Sequence, residues 1–97
     1  MNTEHLQIFE TAVRKGSITA AAGELGITAP WAKSCLDTLE ADTGLTLLKR
    51  TNRGVTPTEQ GAVFLIRVRK VLAELSEGID AAARVSPKAH RVCAVEV

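Results

Sequence analysis

The chain has 97 residues and a formal net charge of +1, and 45% of its residues are hydrophobic although only 3% are aromatic. That length suits one small domain, whose core must be filled by aliphatic side chains. No apolar run is long enough to span a bilayer, and Glu4 stands where a signal peptide would carry positive charge. We therefore expect a cytoplasmic protein without a membrane partner.

Periodicity and end signals predict the first two helices. The first runs over residues 3–14 and stops at Gly16, and Ser17 caps a second helix that Gly26 ends. The apolar face of the first helix is Leu6, Phe9 and Val13, with Ile8 and Ala12 beside it. The apolar residues of the second helix follow the i, i+3, i+4, i+7 rule: Ile18, Ala21, Ala22 and Leu25.

A third helix is predicted from Thr28, its N-cap, to Glu40, with Pro30 in its first turn and Gly44 as its stop. The buried side should be Ala32, Cys35, Leu36 and Leu39. The opposite side carries Pro30, Lys33, Ser34, Asp37 and Ala41. Two short helices around a tight turn indicate a helix-turn-helix, which presents its second helix to a DNA major groove.

A short β-hairpin, the wing, is predicted next. Residues 47–50 form one strand, 51–54 the turn, and 55–56 the return. No acid lies between Asp42 and Glu59, so Lys49, Arg50 and Arg53 form a local basic cluster. Two interpretations stay open: a contact to DNA phosphates, or a solvated hairpin tip.

The last predicted helix is long. Thr56 to Glu59 read as a capping box with Pro57 at the first helical position. An apolar stripe with alternating spacings of 3 and 4 follows: Leu65, Val68, Leu72, Leu75, Ile79 and Ala82. Phe64, Val68 and Val71 can pack on the helix's own domain. Farther on, the helix should outrun so small a domain, which favours a partner helix of a second subunit.

These elements predict a mainly α protein with three regions. Residues 1–60 form a winged helix-turn-helix, a three-helix core plus the short wing. Residues 57–84 form a long linker helix for dimerisation. Residues 85–97 are a tail in which Arg91–Val97 is rich in β-branched residues and reads as a strand.

The ordered set of residues over about positions 1–75 resembles the N-terminal DNA-binding domain of LysR-type transcriptional regulators. The set is Leu6, Phe9, Gly16, Ser17, Ala21, Ala22, Leu25, Pro30, Leu36, Leu39, Glu40, Gly44, Leu47, Arg50, Thr58, Glu59 and Gly61. In that family the long helix pairs two subunits, and an effector-sensing domain follows, beginning with a strand. The resemblance implies that the effector domain is absent from this chain, by truncation or by nature.

The chain departs from the family pattern in the third helix. The family usually has Gln where this chain has Ala29, Ser where it has Lys33, and Arg where it has Ser34. Ala29 can touch a thymine methyl but cannot recognise adenine in a bidentate way. The DNA-binding candidates are Ser17, Thr19, Thr28, Ala29, Pro30, Lys33, Ser34, Lys49, Arg50 and Arg53. Asp37 would be repelled by phosphates unless it accepts from a cytosine or lies beyond the groove.

Trp31 also departs from the family, which tends to have a small residue there. It flanks the predicted buried side, next to Cys35. We expect it to fill core space beside the first helix. The alternative is an exposed anchor for DNA sugar or for a protein partner.

The sequence predicts no metal, no cofactor and no enzyme. Cys35 and Cys93 lack CxxC spacing and a His cluster, which argues against a zinc site or a disulfide framework. His5 and His90 are far apart, and no catalytic constellation stands out. The leading interpretation is a transcriptional regulator that binds double-stranded DNA as a homodimer. The alternative is a winged-helix dimer that pairs with a second regulator protein and reads DNA weakly or not at all.

Overall fold

The computed structural model describes residues 1–85, so the predicted strand at residues 91–97 lies outside the described part. Four helices and one antiparallel hairpin follow each other along these residues. They are α1 (Thr3–Lys15), α2 (Ile18–Leu25), α3 (Ala29–Thr43), β1 (Leu48–Thr51), β2 (Gly54–Pro57) and α4 (Glu59–Ala83). This order confirms the mainly helical winged helix-turn-helix. Among the described residues, no helix combines the length and the apolar character needed to cross a membrane.

The core lies between the first three helices, the wing and the first third of α4. Its buried apolar residues are Ile8, Phe9, Ala12, Ala21, Ala22, Ala32, Cys35, Leu36, Leu39, Leu47, Leu48, Val55, Leu65 and Val68. The buried side of α1 is centred on Ile8, Phe9 and Ala12, which are fully buried, whereas Leu6 and Val13 are half-buried at its edges. The reason is that α1 packs against α2, α3 and α4, so more of its circumference is covered.

Two helix ends differ from the prediction. The third helix continues to Thr43, three residues beyond Glu40, and ends at Gly44. At the start of α4 the N-cap is Thr58, whose Oγ1 accepts from the N–H of Gly61 at 3.0 Å. The capping box at Thr56 was therefore wrong, because pairing of Leu48 with Pro57 keeps residues 54–57 in the hairpin.

The close approach of α4 to the chain before β1 depends on Gly61. A Cβ built on Gly61 would lie 2.0 Å from the carbonyl oxygen of Leu47. That oxygen also accepts from the N–H of Thr58 at 3.0 Å. The start of α4 is therefore fixed against backbone, and the direction in which the helix leaves the core is set there.

Along α4, burial ends near Leu72. Leu65 and Val68 are buried in the domain's own core, and Leu72 is half-buried against it. The first two residues of the predicted dimer stripe thus have an intramolecular role. Val71, which was expected to pack on the domain, is exposed. Beyond Leu72 every described residue of α4 is exposed, including Leu75 and Ile79.

Candidate nucleic-acid interface

The helix-turn-helix is built from α2, a three-residue turn and α3. The turn is closed by the N–H of Ile27, which donates to the carbonyl of Ala22 at 3.0 Å. Thr28 then starts α3, its Oγ1 accepting from the N–H of Trp31 at 3.2 Å. The predicted buried side of α3 is confirmed, because Ala32, Cys35, Leu36 and Leu39 are all in the core. The opposite side of α3 is thereby turned to solvent.

Most of the candidate reading residues of α3 lie on this solvent side. Thr28, Pro30, Lys33 and Ser34 are exposed. Ala29 is half-buried and packs against the core, so its methyl group is only partly available to a ligand. Within residues 1–85, no carboxylate lies within 4.0 Å of the Lys33 ammonium group.

The wing places its basic residues on two different sides. Residues opposite each other are Lys49 and Thr56, and Arg50 and Val55. Since side chains alternate along a strand, Arg50 shares the inward side with buried Leu48. Lys49 points the other way and is exposed, as is Arg53 in the two-residue turn. The basic cluster expected from the sequence is thus divided.

Arg50 is occupied by carboxylates of α3. Its Nη2 lies 2.8 Å from Asp37 Oδ1 and 3.3 Å from Glu40 Oε1. The other oxygen of Glu40 accepts from the N–H groups of Leu47 and Leu48 at 2.7 and 3.2 Å. Arg50, predicted as a DNA contact, therefore joins the wing to α3. The Arg50 ion pair also neutralises part of the charge that Asp37 adds to this surface.

Glu40 is a positioning residue that the spacing of the motif did not single out. Its carboxylate satisfies two backbone donors and one guanidinium, which fixes the start of β1 relative to α3. The available signal was indirect: Leu39 and Glu40 stand together in the pattern by which the chain resembles LysR-type domains. What Glu40 contacts depends on the position of the wing, which the sequence did not give.

The wing is also held against the turn between α1 and α2. The N–H of Val55 donates to the carbonyl of Gly16 at 3.1 Å. Gly54 has φ +130°, and a Cβ there would lie 2.1 Å from the same oxygen, so only glycine fits this contact. A polar cleft of about 340 Å³ results, lined by Ser17, Thr19 and residues 50–55 among others. It brings the N-terminus of α2 next to the turn of the wing.

Cys35 and Trp31 lie close together on α3 but in different environments. Cys35 is buried, and burial, with a smaller effect of the Glu4 carboxylate, raises the pKa of its thiol. The thiol is therefore protonated and inert near neutral pH. Trp31 is 49% exposed. The expectation that it fills core space is wrong, because its position on α3 lies at the border of the buried side.

Comparison with known proteins agrees with this geometry. Residues 3–62 match the family model described as bacterial regulatory helix-turn-helix protein, lysR family. The transcriptional regulator TdcA of Escherichia coli K12 is 34% identical over 87 residues. That alignment covers 90% of this chain and 28% of TdcA, so the chain spans little more than a quarter of the relative's length. The regulator AlsR of Bacillus subtilis is 36% identical over 86 residues, 89% of this chain and 28% of AlsR.

Solved structures show the same fold. The DNA-binding domain of CbnR, in a complex with DNA, has a TM-score of 0.80 and 34% identity, covering 87% of this chain and 100% of that one. The DNA-binding domain of BenM, in a complex with benA site 1 DNA, has a TM-score of 0.82 and 31% identity, covering 87% and 94%. With more than half of its residues matched by the family model, this chain belongs to the lysR family of bacterial regulatory helix-turn-helix proteins.

Proposed function

We propose that residues 1–85 form the DNA-binding and dimerising part of a LysR-type transcriptional regulator. The observation that carries this proposal is the exposed side of α3 beside a wing whose Lys49 and Arg53 have no carboxylate within 4.0 Å among the described residues. Similar domains at 34% and 31% identity are recorded in complexes with DNA.

In this proposal α3 lies in the major groove, with its N-terminal turns nearest the base edges. Thr28, Pro30, Lys33 and Ser34 are exposed there, and Lys33 supplies the one charged donor among these four. Lys33 can reach a guanine, and Ser34 can reach any base edge that offers a hydrogen-bonding partner. Each bidentate pair to a base contributes about 1–3 kcal/mol of discrimination. Because this surface offers few of them, we expect modest selectivity from one subunit.

The wing and the start of α2 contact the DNA backbone in this arrangement. Arg53 at the turn enters a minor groove or holds a phosphate, and Lys49 is exposed on β1 nearby. Ser17 and Thr19 line the adjoining cleft. These contacts add affinity without sequence information. Arg50 contributes mainly by positioning the wing, because its guanidinium is engaged with α3.

A second subunit covers the distal part of α4. The outer face of α4 is an exposed apolar strip, lined by Val71, Leu75, Gly78, Ile79 and Ala82. A continuous apolar surface of this kind is unfavourable in water and marks an interface. It continues toward the start of the helix through Val63 and half-buried Phe64. Of the predicted stripe, Leu75, Ile79 and Ala82 line this strip, whereas Leu72 is half-buried against the core.

Charge favours an antiparallel pair. Arg67 and Lys70 flank the outer face before its centre, and Glu74 and Glu77 flank it after. Antiparallel packing places the basic half of one helix opposite the acidic half of its partner, whereas parallel packing opposes like charges. Two α3 helices are then presented by one dimer, and two half-sites compensate for the modest selectivity of each.

The test is a binding titration against genomic fragments at two salt concentrations. Arg53→Ala should weaken binding to all sequences and reduce the salt slope by about one unit. Lys33→Ala should reduce the affinity for a preferred site more than the affinity for random DNA. Equal losses on both would reassign Lys33 to the backbone. No binding by the wild type at low salt would favour the alternative interaction module.

The dimer has its own test, in sedimentation at tens of micromolar. Leu75→Glu with Ile79→Glu should give a folded monomer. The matched control is Ala73→Glu with Ser76→Glu, which adds the same charge to exposed positions on other sides of α4. A monomeric wild type, or equal disruption by the control, would contradict an interface on the outer face.

A further inference from the structure

Trp31 is the only tryptophan of the chain, and its side chain is not used by the core. It lies in the first turn of α3, immediately after Pro30, and is 49% exposed. Large aromatic side chains that stay half in water at a candidate binding surface are frequent anchors for a ligand. The position of Trp31 on α3 shows which part of a ligand it would meet.

Trp31 lies on the side of α3 that faces away from the wing. Glu40, which bonds the wing, follows Trp31 by nine residues, about two and a half helical turns, and is therefore on the opposite side of the helix. Asp42 follows it by eleven residues, about three turns, and shares its side. Asp42 pairs with the N-terminal ammonium of Met1, next to α1. The solvent side with Pro30 and Ser34 lies between these two flanks.

We infer that Trp31 contacts DNA on the sugar–phosphate wall of the major groove opposite the wall near the wing. This inference rests on the proposed function, since it requires α3 to lie in the groove. When a helix lies in a groove with one side toward the bases, its two flanks face the two backbones. The wing covers one flank, and Trp31 occupies the other in the deepest-inserted turn.

The chemistry of indole fits that wall. The ring packs on the apolar face of a deoxyribose, and the single N–H donates to a phosphate oxygen. Burying the exposed half of an indole removes about 100 Å² of surface from water. At the usual value of apolar burial, this corresponds to roughly thirty- to two-hundredfold in affinity. Such a contact tightens binding to every sequence that the domain recognises.

The first experiment uses the natural fluorescence of Trp31, which no other tryptophan obscures. The full chain is titrated with a DNA duplex, and binding is followed separately by anisotropy of a label on the DNA. We expect the emission to shift and acrylamide quenching to fall as the duplex binds. If the duplex binds while the quenching of Trp31 is unchanged, the inference is overturned and the proposed function stands. If no duplex binds at low salt, both fail.

Variants then separate the ring from its N–H group. Trp31→Ala should lose about thirty- to two-hundredfold in affinity, and Trp31→Phe should lose only part of that. Thr38→Ala is the matched control, an exposed residue two turns farther along the same flank, and should change little. Circular dichroism establishes that each variant is folded. Unchanged affinity in a folded Trp31→Ala protein would overturn the inference.

A last experiment identifies the part of the DNA that Trp31 contacts. Replacing every thymine of the duplex by deoxyuridine removes the methyl groups and leaves the backbone intact. The loss caused by Trp31→Ala should persist on the deoxyuridine duplex. If the loss disappears, the ring contacts thymine methyl groups in the groove and the contact to the backbone wall is wrong.

Discussion

The two halves of α4 have the same apolar spacing, but only the first half is buried in the core of its own chain. In the first half, Leu65 and Val68 are buried in the core of their own chain, next to Phe9 and Phe64, whose ring centroids are 5.9 Å apart. In the second half, Leu75 and other apolar residues remain exposed. An apolar stripe therefore indicates which side of a helix is to be buried. It does not indicate whether that side packs on its own domain or on another subunit.

The sharpest contrast is between two leucines. Leu36 is 1% exposed in the core, and Leu75 is 46% exposed on α4. Leu36→Ala should lower the free energy of unfolding by about 2–5 kcal/mol, because a cavity replaces buried methyl groups. Leu75→Ala should change the stability of the monomer by less than about 0.5 kcal/mol and should weaken the dimer.

Urea unfolding at several protein concentrations distinguishes these outcomes. The loss of unfolding free energy caused by Leu36→Ala should be the same at every protein concentration. The loss caused by Leu75→Ala should vanish on dilution, since this residue acts through association. Equal and concentration-independent losses would mean that the second half of α4 packs within its own chain.

Two helical glycines, Gly61 and Gly23, allow a second comparison between a closely packed position and an open one. A Cβ at Gly61 meets the Leu47 carbonyl, whereas a Cβ at Gly23 meets nothing within 4 Å. Gly61→Ala should cost about 1–3 kcal/mol in the free energy of unfolding, as overpacking does. Gly23→Ala should stabilise by about 0.5–1 kcal/mol, because alanine is the better helix former. Thermal unfolding of the two variants measures both, and a stable Gly61→Ala protein would refute the close packing.

Features set by neighbouring residues were predictable from the sequence. The N-caps Ser17 and Thr28, the stop at Gly44 and the buried side of α3 are confirmed, because each depends on a few adjacent side chains and a helical period. The wing was predictable for the same reason: turn residues stand between two short segments that each begin with an apolar residue.

Features set by distant parts of the chain were not predictable. Arg50 was expected at DNA, but its partners Asp37 and Glu40 come within reach only when the wing folds onto α3. The start of α4 depends on hairpin pairing, which took Pro57 into β2. Trp31 lies at the border of the buried side of α3, where the helical period alone does not decide between core and solvent. In each case the missing information was a tertiary distance.

The Arg50 ion pairs allow a prediction on the recognition side of the molecule. Asp37→Asn removes one negative charge from the surface proposed to face DNA and leaves Arg50 with only Glu40. Two unit charges in water interact by about 1 kcal/mol at 4 Å, so DNA affinity at low salt should rise about fivefold.

The control for this charge change is Asp80→Asn on the distal part of α4. It alters the net charge equally but lies away from α3 and from the outer face of α4. Anisotropy titrations with labelled DNA at low salt measure the change in affinity for both variants. Similar gains would show a general effect of net charge, and a loss for Asp37→Asn would mean that its pairing with Arg50 matters more than its repulsion of phosphates.

The smallest expected effect concerns acid stability. Hydrogen bonds from Arg14 and then Lys15 lower the pKa of Glu24 below its ordinary value of 4.5. A lowered pKa in the folded state stabilises the protein above the unfolded value, and this contribution is lost as the pH falls through the folded value. Glu24→Gln should therefore reduce the melting temperature at pH 7 and have less effect at pH 3.

The control is Asp80→Asn, which should show no such difference between the two pH values. Asp80 has no cationic partner within 4.0 Å among residues 1–85. Because Glu24 is exposed, salt should diminish the effect. An identical loss for Glu24→Gln at both pH values would assign it to packing instead of charge.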